Sequence, residues 1–181
     1  MTGAEPVALQ QLTGDEGLLE VAVVAGEPTS RRVEFELTVR NLTSTAAVVT
    51  NPYEGLSYQL IAGSGTPIQV KAPPNQAKVH VPLDPAAKLA YLDLARADLE
   101  GNDIGIDDAI RATTFELTPG GALTMALAVT SSIDPSDRST LDHVAPGDLQ
   151  LVVMLRAIVQ LGDDRHPMQF RTAPGLDVTV T

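Results

Sequence analysis

The sequence predicts an all-β protein, an antiparallel sandwich of about seven to nine strands. Three observations carry this reading. First, Val33, Phe35, Leu37 and Val39 alternate with Glu34, Glu36, Thr38 and Arg40. A strand sends successive side chains to opposite faces, so this segment has one apolar and one polar face. Second, at least five other segments repeat the pattern at a spacing of roughly 8–15 residues, with turn-forming residues between them. Third, no glycine-rich phosphate loop follows a strand, and strands do not alternate with helices. No long internal repeat points to a solenoid or propeller.

Residues 1–16 read as a polar arm with a short strand near Val7-Ala8-Leu9. Leu18 to Ala25 is a strand, and Gly26-Glu27-Pro28 turns it into the Val33–Arg40 strand as a hairpin. Asn41-Leu42-Thr43-Ser44 stops that strand, and Ala46 to Thr50 continues extended. Asn51-Pro52 and Glu54-Gly55 break the chain before Leu56 to Ile61, which alternates well. Ala62 to Pro67 forms a hairpin-type loop, and Ile68 to Val70 returns. Lys71-Ala72-Pro73-Pro74-Asn75 is a stiff connector, because prolines do not join a sheet interior. Val79 to Val81 is a short edge strand.

Residues 84–109 read as an insertion. Asp84-Pro85 is a typical helix start, and Leu89, Leu92, Ala95 or Arg96, and Leu99 recur at helical spacing. This predicts a helix over residues 85–99; Leu89 to Leu94 can also be read with period two, as a strand. Asn102 to Asp108 is expected to be an acidic loop. Strands resume at Ala112–Leu117, Leu123–Val129, Leu149–Leu161, Met168–Phe170 and Leu176–Val180.

Composition removes several functions. The chain of 181 residues is long enough for one core; folding at this size buries roughly 70% of the chain's surface. A single domain spanning residues 1–181 is expected. There are no cysteines, which excludes disulfides, thiol catalysis, thiolate zinc sites and iron–sulfur clusters. The net charge is −11, from 23 acidic against 12 basic residues. Such a surface repels phosphate backbones and anionic lipid, so neither nucleic acid nor a membrane is an expected partner. No apolar run reaches the ~18 residues of a membrane-spanning helix. Met1 to Pro6 has no basic head or apolar run, so no signal peptide is expected. A chain starting at Met1 would then be cytoplasmic, and one that had lost a leader would lie outside the cytoplasm. Aromatic residues make up only 3%, with no tryptophan, which leaves few stacking platforms for sugars or bases. Arginine outnumbers lysine and alanine is common, which suggests bacterial coding.

Two pieces resemble bacterial immunoglobulin-like domains. Phe35-Glu36-Leu37-Thr38-Val39-Arg40-Asn41 looks like the alternating second strand that ends in Val-x-Asn. Pro146-Gly147-Asp148-Leu149-Gln150-Leu151 is similar to the Pro-Gly-x-Tyr lead-in to the penultimate strand, with Leu149 where a tyrosine often sits. The resemblance implies an immunoglobulin-like sandwich whose last strand carries Leu176, Val178 and Val180. Such folds serve as receptors, adhesins, chaperones, accessory domains and proteinase inhibitors, so the fold does not fix the function.

Candidate sites are few. His80, His143 and His166 share no metal-ligand spacing. His143 and His166 are expected in loops, with Asp142, Asp163 and Asp164 nearby. The acidic stretch from Asp98 fails the EF-hand pattern, since its sixth and twelfth places are Asp103 and Ala109. A looser calcium site at Asn102, Asp103, Asp107 and Asp108 remains the candidate metal site. Ser136 or Ser139 with His143 and Asp142 has the residue types of a triad, but only as sequence neighbours. Asp107-Asp108 would lack the aromatics of a sugar site. Asn41-Leu42-Thr43 matches a glycosylation sequon and reads more simply as a turn.

These observations point to a non-catalytic structural or binding module, not an enzyme and with no cofactor. It would offer loops or a sheet edge to a protein partner. The alternatives are a proteinase-inhibitor-like protein presenting residues 71–75 as a rigid loop, or a calcium-assisted enzyme. Val152, Met154 and Ile158 lie opposite Leu151 and Val153 on the longest strand, so its second face is expected to be covered. The cover would be residues 85–99, or another subunit in a homodimer.

Overall fold

The computed structural model describes residues 4–28, 33–62, 67–70, 91–130, 147–173 and 175–180. In chain order the elements are β1 (Val7–Ala8), β2 (Gln10–Thr13), β3 (Leu19–Ala25), β4 (Val33–Asn41), β5 (Ala47–Thr50) and α1 (Pro52–Gly55). Then come β6 (Leu56–Ala62), β7 (Pro67–Val70), β8 (Tyr91–Leu99), β9 (Asn102–Ile104) and α2 (Ile106–Arg111). The chain continues with β10 (Thr114–Leu117), β11 (Ala122–Thr130), β12 (Gly147–Leu161), β13 (Asp164–Arg171) and β14 (Leu176–Val180). No described helix is long and apolar enough to cross a membrane.

These strands build an antiparallel β-sandwich of two sheets. The first sheet has the order β1-β3-β4-β11-β8-β9. In the second, β10-β5-β12-β13-β2 is joined by β14 and β6, which also pair with β12, and by β7, which pairs with β6. The alternation in β4 has the predicted consequence: Val33, Phe35, Leu37 and Val39 are buried, while Glu34, Glu36 and Thr38 are only half-buried on the outer face. The β3–β4 hairpin forms, with Val23 opposite Leu37. Leu37, Met125 and Leu127 from the first sheet meet Leu151, Leu155 and Met168 from the second in one apolar core. β1 pairs with β3 and β2 with β13, so the arm over residues 7–13 passes from one sheet to the other.

The helix expected over residues 85–99 is not observed where the chain is described. Residues 91–99 form β8, which lies between β11 and β9 in the first sheet; residues 85–90 lie outside the described residues. A bulge explains the misleading spacing. Leu94 pairs with Leu127 and Arg96 with Ala126, which leaves Ala95 as an extra residue. The inward positions are Leu92, Leu94 and Ala97, with Ala95 and Arg96 both exposed. A three-residue step between two-residue steps mimics helical recurrence, although the backbone is extended.

The acidic stretch over residues 102–108 is likewise not a plain loop. Glu100 and Gly101 have φ of 54° and 87°, the pair of left-handed residues that a tight hairpin requires. Glu100 is held there because its Oε1 accepts from Thr118 N at 2.6 Å and Thr118 Oγ1 at 2.8 Å. The returning residues form β9, and α2 follows with Asp107 and Asp108 in its first turn.

One end of the sandwich is closed by α1 and α2. Asn51 is buried; its Oδ1 accepts from Tyr53 N at 3.0 Å, capping α1. Its amide donates to the carbonyls of Ala109 and Ala112, each at 2.8 Å, and so ties α1 to α2. The Tyr53 hydroxyl donates to Leu92 O at 3.0 Å and links α1 to the first sheet. Burial, with Asp93 as a smaller cause, pushes this hydroxyl up to about 12. Burial also pushes Tyr58 well above its ordinary value.

The pH dependence follows. The neutral hydroxyl is favoured in the folded state, so this contribution is complete below pH ~10 and lost as pH rises through about 12. A flat melting temperature from pH 7 to 9 is expected, then a steep fall between about 10 and 12. Tyr53→Phe should lower stability by about 1 kcal/mol at neutral pH and make the alkaline fall shallower. Thermal melts across that range check both.

Candidate binding face

The four residues proposed for calcium sit on two elements. Asn102 and Asp103 are on β9, and Asp107 and Asp108 are in the first turn of α2. The Asn102 amide is engaged with the hairpin, donating to Leu99 O and Glu100 O at 3.3 and 3.4 Å. Among the described residues no three His, Asp or Glu side chains are grouped as a metal would need. Asp107 and Asp108 suit the positive end of the α2 dipole.

His166 is in β13 rather than in a loop, and its Nδ1 lies 2.7 Å from Asp15 Oδ2 on the N-terminal arm. His80, His143, Ser136, Ser139, Asp142 and the 71–75 loop lie outside the described residues. The sequon asparagine, Asn41, is fully buried as the last residue of β4, with no left-handed φ; it shapes the following turn through its side chain, whose Oδ1 accepts from Thr43 N at 2.9 Å.

The cover expected for β12 is not provided by β8, which belongs to the opposite sheet. On its outer face Gln150, Met154, Arg156 and Gln160 are exposed, and Ile158 is half-buried. Val152 is the exception, buried where Gly175 passes over it. The outward positions of β13 are Arg165, Pro167, Gln169 and Arg171. Register places Met154 opposite Arg171, Arg156 opposite Gln169, Ile158 opposite Pro167 and Gln160 opposite Arg165.

The charges on the two outer faces are organised differently. On the first sheet, Arg96 Nη2 lies 3.3 Å from Glu36 Oε2, and Arg40 Nε lies 3.8 Å from Glu20 Oε1. Arg40 also donates to Gly120 O at 2.8 Å. Each of these arginines has a carboxylate beside it, around a shallow hollow of about 290 Å³ floored by Ala95, Ala126 and Ala128. On the second sheet Arg156, Arg165 and Arg171 are exposed, and none has a hydrogen-bond or ion-pair partner among the described residues. Three guanidinium groups without a partner among the described residues thus share one face of a chain whose net charge is −11.

A groove of about 400 Å³ runs beside Arg156, lined by Thr50, Gly55, Ile158, Gln169 and Thr13, with Glu54 also at its edge. Backbone economy makes it. Between β5 and β6 the chain leaves β12 to form α1, and Thr50 Oγ1 accepts the Ile158 N–H at 2.9 Å in place of a ladder partner. On the opposite side Thr172 fills the gap between β13 and β14. Its N donates to Val153 O and its Oγ1 accepts from Val153 N, both at 3.0 Å. β12 is therefore held straight across two interruptions, and its outer side chains project from a rigid support.

Sequence reasoning placed Val152, Met154 and Ile158 on the second face of β12 but did not single out the three arginines. The signal was present in part, because Arg165 and Arg171 are an even number of residues apart in one strand. The pairing that sets them beside Arg156 required the register.

No family model matches the chain, and no curated protein matches it. Among solved structures it is similar to the GAE domain of GGA2p from Saccharomyces cerevisiae. The two are 9% identical over 91% of this chain and 94% of that one, with a TM-score of 0.37.

Proposed function

We propose that the protein is a single-domain, non-catalytic protein-binding module that docks a partner on the outer face of β12 and β13. The observation that supports it is the arginine cluster, without partners among the described residues and interleaved with half-buried Ile158 and exposed Met154 and Pro167. Arginine and methionine are enriched in protein interfaces, where a guanidinium offers planar donors and a thioether adapts its shape. A rigid sheet presents them with little ordering entropy to lose on binding.

A second copy of the chain is a poor occupant. A two-fold interface sets the same patch against itself, so Arg156 and Arg171 would face arginines. We therefore propose a different protein as the partner.

The test compares wild type with the Arg156→Glu/Arg171→Glu double variant as baits for extracts of the producing cells. An Arg96→Glu variant, altered on the first sheet, is the control. Both variants should melt within about 2 °C of wild type, since exposed substitutions shift stability by about 0.5 kcal/mol. Partners retained by wild type and by the control should be lost by the double variant. Partners retained equally by all three would remove the proposed face.

A further inference from the structure

We infer that the segment docked on this face is an acidic, extended stretch of the partner, with carboxylates at alternate positions. The inference rests on the docking reading above and adds the chemistry of the occupant.

Register fixes the spacing of the cations. Arg156 is directly opposite Gln169, so Arg171, two residues further along β13, is its diagonal neighbour. Diagonal neighbours in an antiparallel pair are about 7–8 Å apart. In an extended chain, side chains at i and i+2 point the same way and are about 7 Å apart. An acid-x-acid sequence therefore brings two carboxylates over Arg156 and Arg171 together. Each guanidinium can accept a carboxylate in the two-pronged geometry that a lysine cannot offer. Arg165 lies six residues from Arg171 on the same strand, about 20 Å away, and marks the far end of the contact. An apolar side chain two residues beyond the acids, on the same face of the segment, falls on Ile158 and Pro167, the next row of the register.

Charge elsewhere on the molecule sharpens the choice. The arginines of the first sheet are already answered by Glu36 and Glu20. An acidic segment is repelled by most of a surface of net charge −11 and attracted by the Arg156–Arg171 part of this face, since further along β12 and β14 the same face carries exposed Asp148 and Asp177. At physiological salt, screening beyond about 8 Å leaves the local arginines as the deciding term. A nucleic acid also presents anions to arginine, but it carries one charge per nucleotide and meets the repulsion of the whole chain.

The experiment is selection of a displayed library of random peptides about eight residues long, enough to span the three arginines. Selection is run on wild type and on Arg156→Glu/Arg171→Glu. Enriched peptides are synthesised, and affinities are measured by fluorescence anisotropy at low and high salt. A single-stranded oligonucleotide of equal length is measured beside them. Peptides with acid-x-acid patterns should be enriched on wild type, bind at least about tenfold more weakly to the double variant, and weaken at high salt.

Enriched peptides without acids that still lose binding on the double variant would overturn the acidic segment while leaving the docking face standing. Peptides that bind wild type and variant equally, or no enrichment on wild type, would remove both. Tighter binding of the oligonucleotide than of any acidic peptide would overturn the inference in favour of a nucleic acid. If the double Glu variant melts far below wild type, Arg156→Gln/Arg171→Gln removes the charges with less perturbation, and the same outcomes are read from it.

Discussion

Asn41→Ala should lower the melting temperature by about 10 °C, one of the two largest effects expected of a single substitution in this chain. The side chain is wholly buried, and nearly all of its hydrogen-bonding capacity is used. Its amide donates to Thr45 O at 2.8 Å and to Leu117 O and Thr118 O at 3.1 Å. Its Oδ1 accepts from Thr43 N at 2.9 Å and Thr43 Oγ1 at 2.7 Å. The backbone joins in: Asn41 N donates to Gly121 O, and Gly120 N donates to Asn41 O. One residue thus clamps the end of β4 to the β10–β11 turn across the sandwich.

Alanine would strand Leu117 O and the Thr43 N–H without their partner, and each buried orphan costs about 1–3 kcal/mol. A loss of about 3–4 kcal/mol, at roughly 2–4 °C per kcal/mol for a chain of this size, gives the stated shift. Asn41→Asp should be at least as damaging, because it keeps the acceptors, loses the donors and buries a charge. Scanning calorimetry checks both. A shift under about 2 °C for either would mean that the clamp does not hold the turn.

Gly55→Ala should be comparably severe for a different reason. A Cβ at this position would lie 1.9 Å from the carbonyl oxygen of Arg156. The obstacle is backbone in the central strand of the second sheet, not the end of a flexible side chain. Either α1 lifts off β12 or β12 shifts against its neighbours, and overpacking of this kind costs about 3 kcal/mol. Gly105→Ala is the matched control. Its nearest new contact is Asp108 Oδ2 at 3.4 Å, an ordinary separation, so a loss of about 1 kcal/mol or less is expected. Because Gly55 lines the groove beside Arg156, Gly55→Ala should also weaken peptide binding more than Gly105→Ala does.

How far the sequence could be read varies along the chain for physical reasons. β4 and β12 were legible because strict alternation over many residues has only one structural meaning. β8 was read as helix, with a strand over Leu89 to Leu94 only as the alternative, because one bulged residue, Ala95, broke its period. α1 was seen only as a chain break: Asn51-Pro52 and Gly55 carry its cap and its close approach, but four residues are too few to show a period. The hairpin at Glu100-Gly101 was hidden by a glutamate in a left-handed conformation, which Thr118 supports from a distant part of the chain.

The binding face shows the same limit more clearly. The sequence showed that β12 had more apolar residues than one sheet face needs. It could not show whether the surplus was covered, because that depends on which sheet β8 joins. Nor could it show that Arg40 and Arg96 would find glutamates while Arg156, Arg165 and Arg171 would find none among the described residues. Those distinctions come from strand order and register, which no local pattern encodes.

Amide hydrogen exchange is the most direct measurement of the binding face. It would be recorded on the wild-type protein with and without its most tightly retained partner. New protection should appear over residues 154–158 and 165–171, with the outer residues of β3, β4 and β11 unchanged. Protection confined to the first sheet, or spread evenly over both, would contradict a docking role for the unpaired arginines.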